Sequence, residues 1–278
     1  MPGDLYVTSD ASNQVRHYQP NGTYVNVFTS TVGASGEMAI HFGATNNRVL
    51  VGHSFNGVEE FNATTGAYIK TYNPGGGWQW AGLYGPGGVV LIGSMNTNDV
   101  RKYHPATGAF IGPLVPVYGP GDMKIGPNGN LYICSFLGGF VLEVNATTGA
   151  FVSTWAQPPN ANSNDIAFLP NGDILVTCMS INKVCRYDSA HNFLGSFTGT
   201  GWGNPHGIEI HPTTGNILVD DGVTGQIHEF DPVTYTELNA AYLSPTPGDK
   251  IVDLAFAPPG IPTPAAHTTW GRIKTLYK

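Results

Sequence analysis

The chain has 278 residues, a formal net charge of −7 and no cluster of lysine or arginine, which argues against nucleic acid and anionic membranes as main partners. No apolar run reaches the length of a membrane-spanning helix, so we expect no membrane insertion. The cysteines Cys134, Cys178 and Cys185 have neither zinc-site spacing nor the even count of a disulfide framework.

Short strand-like runs of one shape recur every 41 to 44 residues. They are DLYVTSD from residue 4, RVLVGHS from 48, VVLIGSM from 89, NLYICSF from 130, DILVTCM from 173 and NILVDDG from 216. A second run, a turn rich in Gly, Pro or Asn and another strand follow each of them, and a further strand precedes five of the six. Four short strands in a repeat of about 42 residues are typical of β-propeller blades.

The first repeat lacks its leading strand, and the missing piece stands at the far end of the chain. IVDLAFAPPG at 251–260 has the pattern of DIAFLPNG at 165–172. We therefore predict an all-β fold over residues 1–260, a six-bladed propeller of four-stranded antiparallel blades. A C-terminal strand would join the N-terminal blade and close the ring, which removes free sheet edges.

A proline-rich stretch, PPGIPTPAA at 258–266, ends the predicted propeller. Residues 261–278 are interpreted as a linker and a short tail, in which Trp270, Ile273 and Leu276 have helical spacing. This tail is either a short helix that lies on the domain or a segment that docks to a partner or to sorting machinery.

Carboxylates recur where the first strands of the blades converge on the central channel. Aligning these strands by sequence places one residue of each blade at an equivalent position: Glu37, Ala81, Asp122, Asp165, Gly207 and Asp253. Acids that lie this close together need a counter-ion or strong hydrogen bonds. The four acids are therefore candidate ligands of a hard cation such as Ca²⁺. Alternatively, each accepts backbone N–H bonds from the neighbouring blade and joins the blades.

Candidate catalytic groups lie at the same end of the blades. The second strands end at Ser9, His53, Ser94, Ser135, Cys178 and Asp221, and His206 begins a first strand. His206, His53 and Asp221 are the predicted catalytic set, because histidine acts as a general base near neutral pH. Alternatively, His206 is a hydrogen-bonded part of the blade. His41 and His211, inside first strands, are interpreted as structural.

The stretch PHGIEIHPTTGNILVDD at 205–221, with its five weaker copies, resembles the NHL-repeat and streptogramin-lyase-like propellers over essentially the full chain. The lyase resemblance implies a histidine at the start of a blade, here His206, a glutamate that carries Mg²⁺ and a second histidine as base. Where that family has its glutamate this chain reads LVDD, and no second histidine follows in IVDLAF. Gluconolactonase-like propellers, a related family, hold a catalytic calcium at the channel mouth.

Aromatic residues are concentrated on the loops of this predicted face. They are Phe55, Trp78, Trp80, Phe136 and Trp202. Rings at a channel mouth suit sugars, peptides or aromatic ligands, although loops rich in glycine also need side chains that hold them together.

Only 11% of the residues are charged, so solubility would rest on Asn, Thr, Ser and Gly, a balance common in extracellular proteins. The opening MPGDLYVTSD is not a leader, so an exported protein would already have lost it. We predict an extracellular or cell-surface binding or structural module with a protein, glycan or small-molecule ligand at the channel mouth. The alternative is a metal-assisted lyase or lactone hydrolase that uses Ca²⁺ or Mg²⁺.

Overall fold

The computed structural model describes residues 3–9, 11–30, 36–72, 78–159, 161–245 and 250–259. The predicted linker and tail at 261–278 lie outside these ranges. Within them the chain forms 24 β-strands and two three-residue 3₁₀ turns, Pro86–Gly88 and Met179–Ile181. None of the described residues belongs to a helix long and apolar enough to cross a bilayer.

The strands follow one another in a regular order along the chain. The first twelve are β1 (Leu5–Ser9), β2 (Gln14–Tyr18), β3 (Tyr24–Ser30), β4 (Glu37–Phe42), β5 (Arg48–His53), β6 (Gly57–Asn62), β7 (Tyr68–Tyr72), β8 (Gln79–Tyr84), β9 (Val90–Ser94), β10 (Asp99–Tyr103), β11 (Phe110–Pro116) and β12 (Pro120–Ile125). The others are β13 (Asn130–Ser135), β14 (Phe140–Asn145), β15 (Phe151–Ala156), β16 (Ser163–Phe168), β17 (Ile174–Cys178), β18 (Lys183–Tyr187), β19 (Phe193–Phe197), β20 (Ile208–Ile210), β21 (Ile217–Asp220), β22 (Ile227–Phe230), β23 (Glu237–Leu243) and β24 (Ile251–Phe256).

These strands form antiparallel units of four, as the repeats predict. Four separate sheets have four strands each, in the orders β24-β1-β2-β3, β12 to β15, β16 to β19 and β20 to β23. The remaining eight strands form one sheet rather than the two expected. In it, β4 to β7 and β8 to β11 are joined by a single pair, His53 with Gln79, because β5 and β8 approach each other at this end.

The C-terminal strand β24 and the N-terminal strand β1 are hydrogen-bonded neighbours. Leu5 pairs with Phe256 and Val7 with Leu254 in antiparallel register. A buried apolar cluster continues from these two strands into β21 and β22, where it includes Leu218 and Ile227. The two ends of the described chain therefore share one sheet and one core cluster.

Burial falls from the second strand of each unit to the outer strand. The second strands are buried at every position, as in VLIGS of β9 and ILVTC of β17, or at all but the first, as in β5 and β13, because neighbouring units pack on both of their faces. The outer strands are more exposed: in FVSTWA of β15, four of the six residues are exposed and one is buried. Each outer pairing also contains a register shift, and such bulges hinder edge-to-edge association of sheets.

Candidate functional site

Strand register decides which residues of the first strands are equivalent. Ile40, Gly82, Met123, Ile166, Ile208 and Leu254 each pair with the same position of the next strand. The residues just before them are Ala39, Ala81, Asp122, Asp165, Gly207 and Asp253. Ala39 therefore holds the position predicted for Glu37. Glu37 lies two residues earlier and pairs with His53, as Gln79 pairs with Ser94.

Three of the four predicted acids do meet at the channel. Asp122, Asp165 and Asp253, which we call the acid cluster, are buried, and one carboxylate oxygen of each lies within 4.8 Å of the others. They converge because the first strands of all units point their side chains toward one axis. A hard cation requires such a set of oxygen atoms.

Backbone amides of neighbouring units already bind two of these carboxylates. Asp253 Oδ2 accepts the Ile40 N–H at 2.8 Å, and Asp165 Oδ2 accepts the Ile208 N–H at 2.8 Å. These bonds connect β24 to β4 and β16 to β20. They match the alternative in which the acids join adjacent blades.

A lysine that sequence analysis did not select lies against the acid cluster. Lys124 Nζ is 3.2 Å from Asp165 Oδ2, 2.9 Å from Glu209 Oε1 and 2.8 Å from the Ile208 carbonyl. Burial opposes its charge, but the carboxylates of Asp165 and Glu209 outweigh burial and raise the pKa of the ammonium. Lys124 is thus a charged group inside the channel.

A histidine interpreted as structural also contacts the cluster. His41 Nε2 donates a hydrogen bond of 2.7 Å to Asp122 Oδ1. Burial alone would lower the pKa of His41, but Asp122 raises it, and the net value is about 9. Burial raises the pKa of Asp165 to about 7, and it raises that of Asp253 well above its usual range. At neutral pH the positive charges of Lys124 and His41 therefore face a cluster that is only partly ionised.

The strand register explains why Lys124 and His41 lie beside the same acid cluster. Two residues beyond the acid position, the six strands carry His41, Leu83, Lys124, Ala167, Glu209 and Ala255. The sequence signal was DMKIGP, in which a lysine interrupts an apolar strand and needs a partner. A cavity of about 290 Å³ lies at this level, lined by His41, Lys124 and Glu209 together with apolar side chains such as Leu83 and Phe256.

The predicted catalytic residues have separate local environments. His53 is fully buried, with Nε2 3.4 Å from Glu59 Oε2. Asp221 Oδ1 accepts the N–H groups of Gly203 and Val223 at 2.9 and 2.8 Å, and its Oδ2 accepts the Thr224 hydroxyl. Asp221 therefore has the contacts of a turn-forming residue. Among the described residues, no hydrogen bond links these two side chains to each other or to His206.

His206 is partly buried, and its backbone has two anchors. Its N–H donates to Asp220 Oδ1 at 2.7 Å, and its carbonyl accepts the Thr177 hydroxyl at 2.7 Å. Burial lowers the pKa of the ring to about 4, against the opposing effect of Asp221, so the ring is neutral at pH 7. Within the described part of the chain, the ring Nδ1 has no hydrogen-bond partner.

Asp220 is a further buried acid that was not among the candidates. Its Oδ2 has no partner in the described ranges, and burial raises its pKa well above the usual value. Asp253 and Asp165 act electrostatically in the same direction. Sequence analysis passed over Asp220 because it lies one residue before Asp221, so that its side chain was expected on the opposite face of the strand.

Four aromatic side chains form a row at the end of the strands where His53 and Gln79 lie. In this aromatic row, Phe55 and Trp78 are 6.1 Å apart edge to face, Trp78 and Trp80 are 6.4 Å apart, and Trp80 and Phe136 are 5.1 Å apart. Phe55 and Trp78 are 56% and 43% exposed, whereas Trp80 is buried. Trp202 is also buried, and its indole N–H donates to the Asn182 carbonyl at 3.1 Å.

Neither a family model nor a curated protein sequence matches the chain. In structure it is similar to a protein of unknown function from Bacteroides caccae, at TM-score 0.69 and 14% identity over 92% of this chain and 99% of that one. It is similar to a chain of a nidogen/laminin complex at TM-score 0.77 and 12% identity, over 91% and 98% of the two chains. For virginiamycin B lyase from Staphylococcus aureus the values are 0.65 and 14%, over 86% and 80%.

These likenesses, all at low sequence identity, show the fold. The chain is an all-β propeller built from four-stranded antiparallel blades. The predicted resemblance to streptogramin-lyase-like propellers is confirmed at this level, since a streptogramin B lyase is also among the similar structures, at TM-score 0.60 and 18% identity.

Proposed function

We propose that this protein is a secreted or surface-exposed propeller that acts as a binding module through the face that carries the aromatic row. The observation that carries the proposal is the exposure of Phe55 and Trp78 to solvent. Trp78 packs against Trp80, whose ring is buried. Large rings that are held rigidly and left open to solvent are typical centres of recognition surfaces. Exposed Tyr118 and Leu137 extend the apolar surface beyond Phe136.

A rigid ring of blades would support this surface. We infer six blades, because the eight-stranded sheet consists of two four-stranded units that share one residue pair. The pairing of β24 with β1 supports a ring closed by the C-terminal strand. Recognition surfaces on rigid elements lose less entropy on binding than surfaces on mobile loops.

A protein or glycan ligand is the class that the surface favours. Exposed aromatic rings suit flat partners such as sugar rings or a protein epitope. One similar structure is described as a nidogen/laminin complex, which is consistent with a protein partner. The low content of charged residues agrees with an extracellular location.

The test is binding of the protein to arrays of oligosaccharides and of secreted proteins, with wild type and a Phe55→Ala/Trp78→Ala variant. Each ligand bound by wild type should lose about tenfold or more in affinity, since loss of a buried aromatic anchor costs about 2 kcal/mol or more. The matched control is Phe151→Ala/Phe193→Ala, which removes two exposed rings from outer strands. Binding that survives in the first variant, binding that the control loses to the same extent, or no binding at all would contradict the proposal.

The enzymatic alternative has one observation in its favour, the neutral His206 ring, whose buried Nδ1 has no hydrogen-bond partner among the described residues. It also requires a cation beside that ring, and the described acids nearby are bonded to backbone amides and to Lys124. The alternative stays a prediction. Hydrolysis or elimination of lactones and cyclic depsipeptide esters that depends on Ca²⁺ or Mg²⁺ and is lost in His206→Ala would establish it.

A further inference from the structure

The acid cluster has the composition of a divalent cation site, but its surroundings differ from one. Calcium takes six to eight oxygen ligands at about 2.3–2.6 Å, with several carboxylates left free to reach it. Here Asp165 Oδ2 already accepts the Ile208 N–H and the Lys124 ammonium, and Asp253 Oδ2 accepts the Ile40 N–H. Asp122 Oδ1 is bound by the Met123 N–H at 2.6 Å and by His41.

The Lys124 ammonium has the position and the bonding of a resident cation. Its three hydrogens match three acceptors, on Asp165, Glu209 and the Ile208 carbonyl, at 2.8 to 3.2 Å. The side chain reaches from β12 to β20 across the channel. Small residues at two equivalent positions, Ala167 and Ala255, leave room for it.

We propose that the Lys124 ammonium replaces a divalent cation in the acid cluster, so that this propeller needs no metal there and keeps a divalent cation site in latent form. Removal of the ammonium would leave the buried Asp165 carboxylate without the cation that contacts it, and among the described residues only His41 would remain as a positive charge beside Asp122 and Asp253. Buried acids within 4.8 Å of one another either take up protons or recruit another cation.

The experiment compares thermal unfolding of the full chain in EDTA, Ca²⁺ and Mg²⁺ for wild type, Lys124→Met and Lys124→Arg. Wild type and Lys124→Arg, which keep a cation, should melt at the same temperature in all three conditions. Lys124→Met should melt lower in EDTA and recover by about 5 °C when Ca²⁺ is about 100 times its Kd. Lys183→Met, at an exposed lysine, is the matched control and should not respond.

Two further measurements keep the proposal falsifiable. Lys124→Met/Asp253→Asn removes one ligand and should lose the Ca²⁺ response. Calcium titration by calorimetry does not depend on the folding of Lys124→Met: if wild type binds one Ca²⁺ and Asp253→Asn binds none, the proposal is overturned. A folded Lys124→Met that ignores both cations would overturn it too. A Lys124→Met protein that folds only with Ca²⁺ would support it.

Discussion

At the residue scale, the contact between His41 and Asp122 couples the fold to pH. The imidazolium faces the carboxylates of Asp122 and Asp253 and lies near the Lys124 ammonium. A base whose pKa is raised on folding stabilises the protein below its unfolded pKa of about 6.5. That contribution is lost as the pH rises through about 9.

We therefore expect wild type to lose about 1–3 kcal/mol of unfolding free energy between pH 7 and pH 10 through this residue. His41→Gln keeps an amide donor for Asp122 but cannot titrate, so its stability should change less over the same interval. Urea unfolding at several pH values measures both. Asp165 contributes at lower pH, since its raised pKa of about 7 makes stability fall as the pH rises toward that value. Equal slopes above pH 8 in the two proteins would contradict the expectation.

At the element scale, single side-chain bonds fasten strands of different units to one another. Asp253 in β24 accepts the Ile40 N–H of β4, and Asp165 in β16 accepts the Ile208 N–H of β20. The Ile40 amide follows the bulge that interrupts the β4–β5 ladder, and the Ile208 amide is the first of β20. Buried amides left without such a partner are costly.

Asp253→Ala should lower the unfolding free energy by about 1–3 kcal/mol, because it leaves the Ile40 N–H unpaired. Asp253→Asn should cost clearly less, because an amide oxygen accepts the same bond and burial raises the pKa of the Asp253 carboxyl, which weakens the preference for its charge. Chemical denaturation of both variants measures the difference. If Asn proved as harmful as Ala, the charge of Asp253 and not its acceptor oxygen would matter.

The repeats predicted the strands well, and the neighbours across the channel poorly. The hydrophobic pattern and turn residues are local, so the order of strands and the buried second strands could be derived from sequence. Glu37 was misplaced because EMAIHF aligns with DMKIGP through an acid, a Met and an Ile at the same three positions. The strand register instead pairs Ile40 with Val51, which puts Ala39 at the acid position. Lys124 and Glu209 are 85 positions apart in the chain, and only the converging blades bring them together.

At the scale of the whole molecule, the last strand completes the sheet of the first. Removal of residues 250–278 takes away β24, its pairing with β1 and the Leu254 side chain of a core cluster. This deletion should abolish cooperative unfolding and make the protein sensitive to protease. Deletion of 265–278 alone should leave the melting temperature unchanged, as calorimetry would show. An unchanged melting temperature in the longer deletion would refute ring closure by β24.

The pairing of Leu5 with Phe256 has a mechanical consequence. In this antiparallel register, the chain preceding β1 and the chain following β24 leave the sheet at the same end. Tension applied between them would load the hydrogen bonds between these strands one after another, as in unzipping, and not all together, as in shear. The pairing of β1 with β24 would therefore open at low force, while the other strand pairs resist.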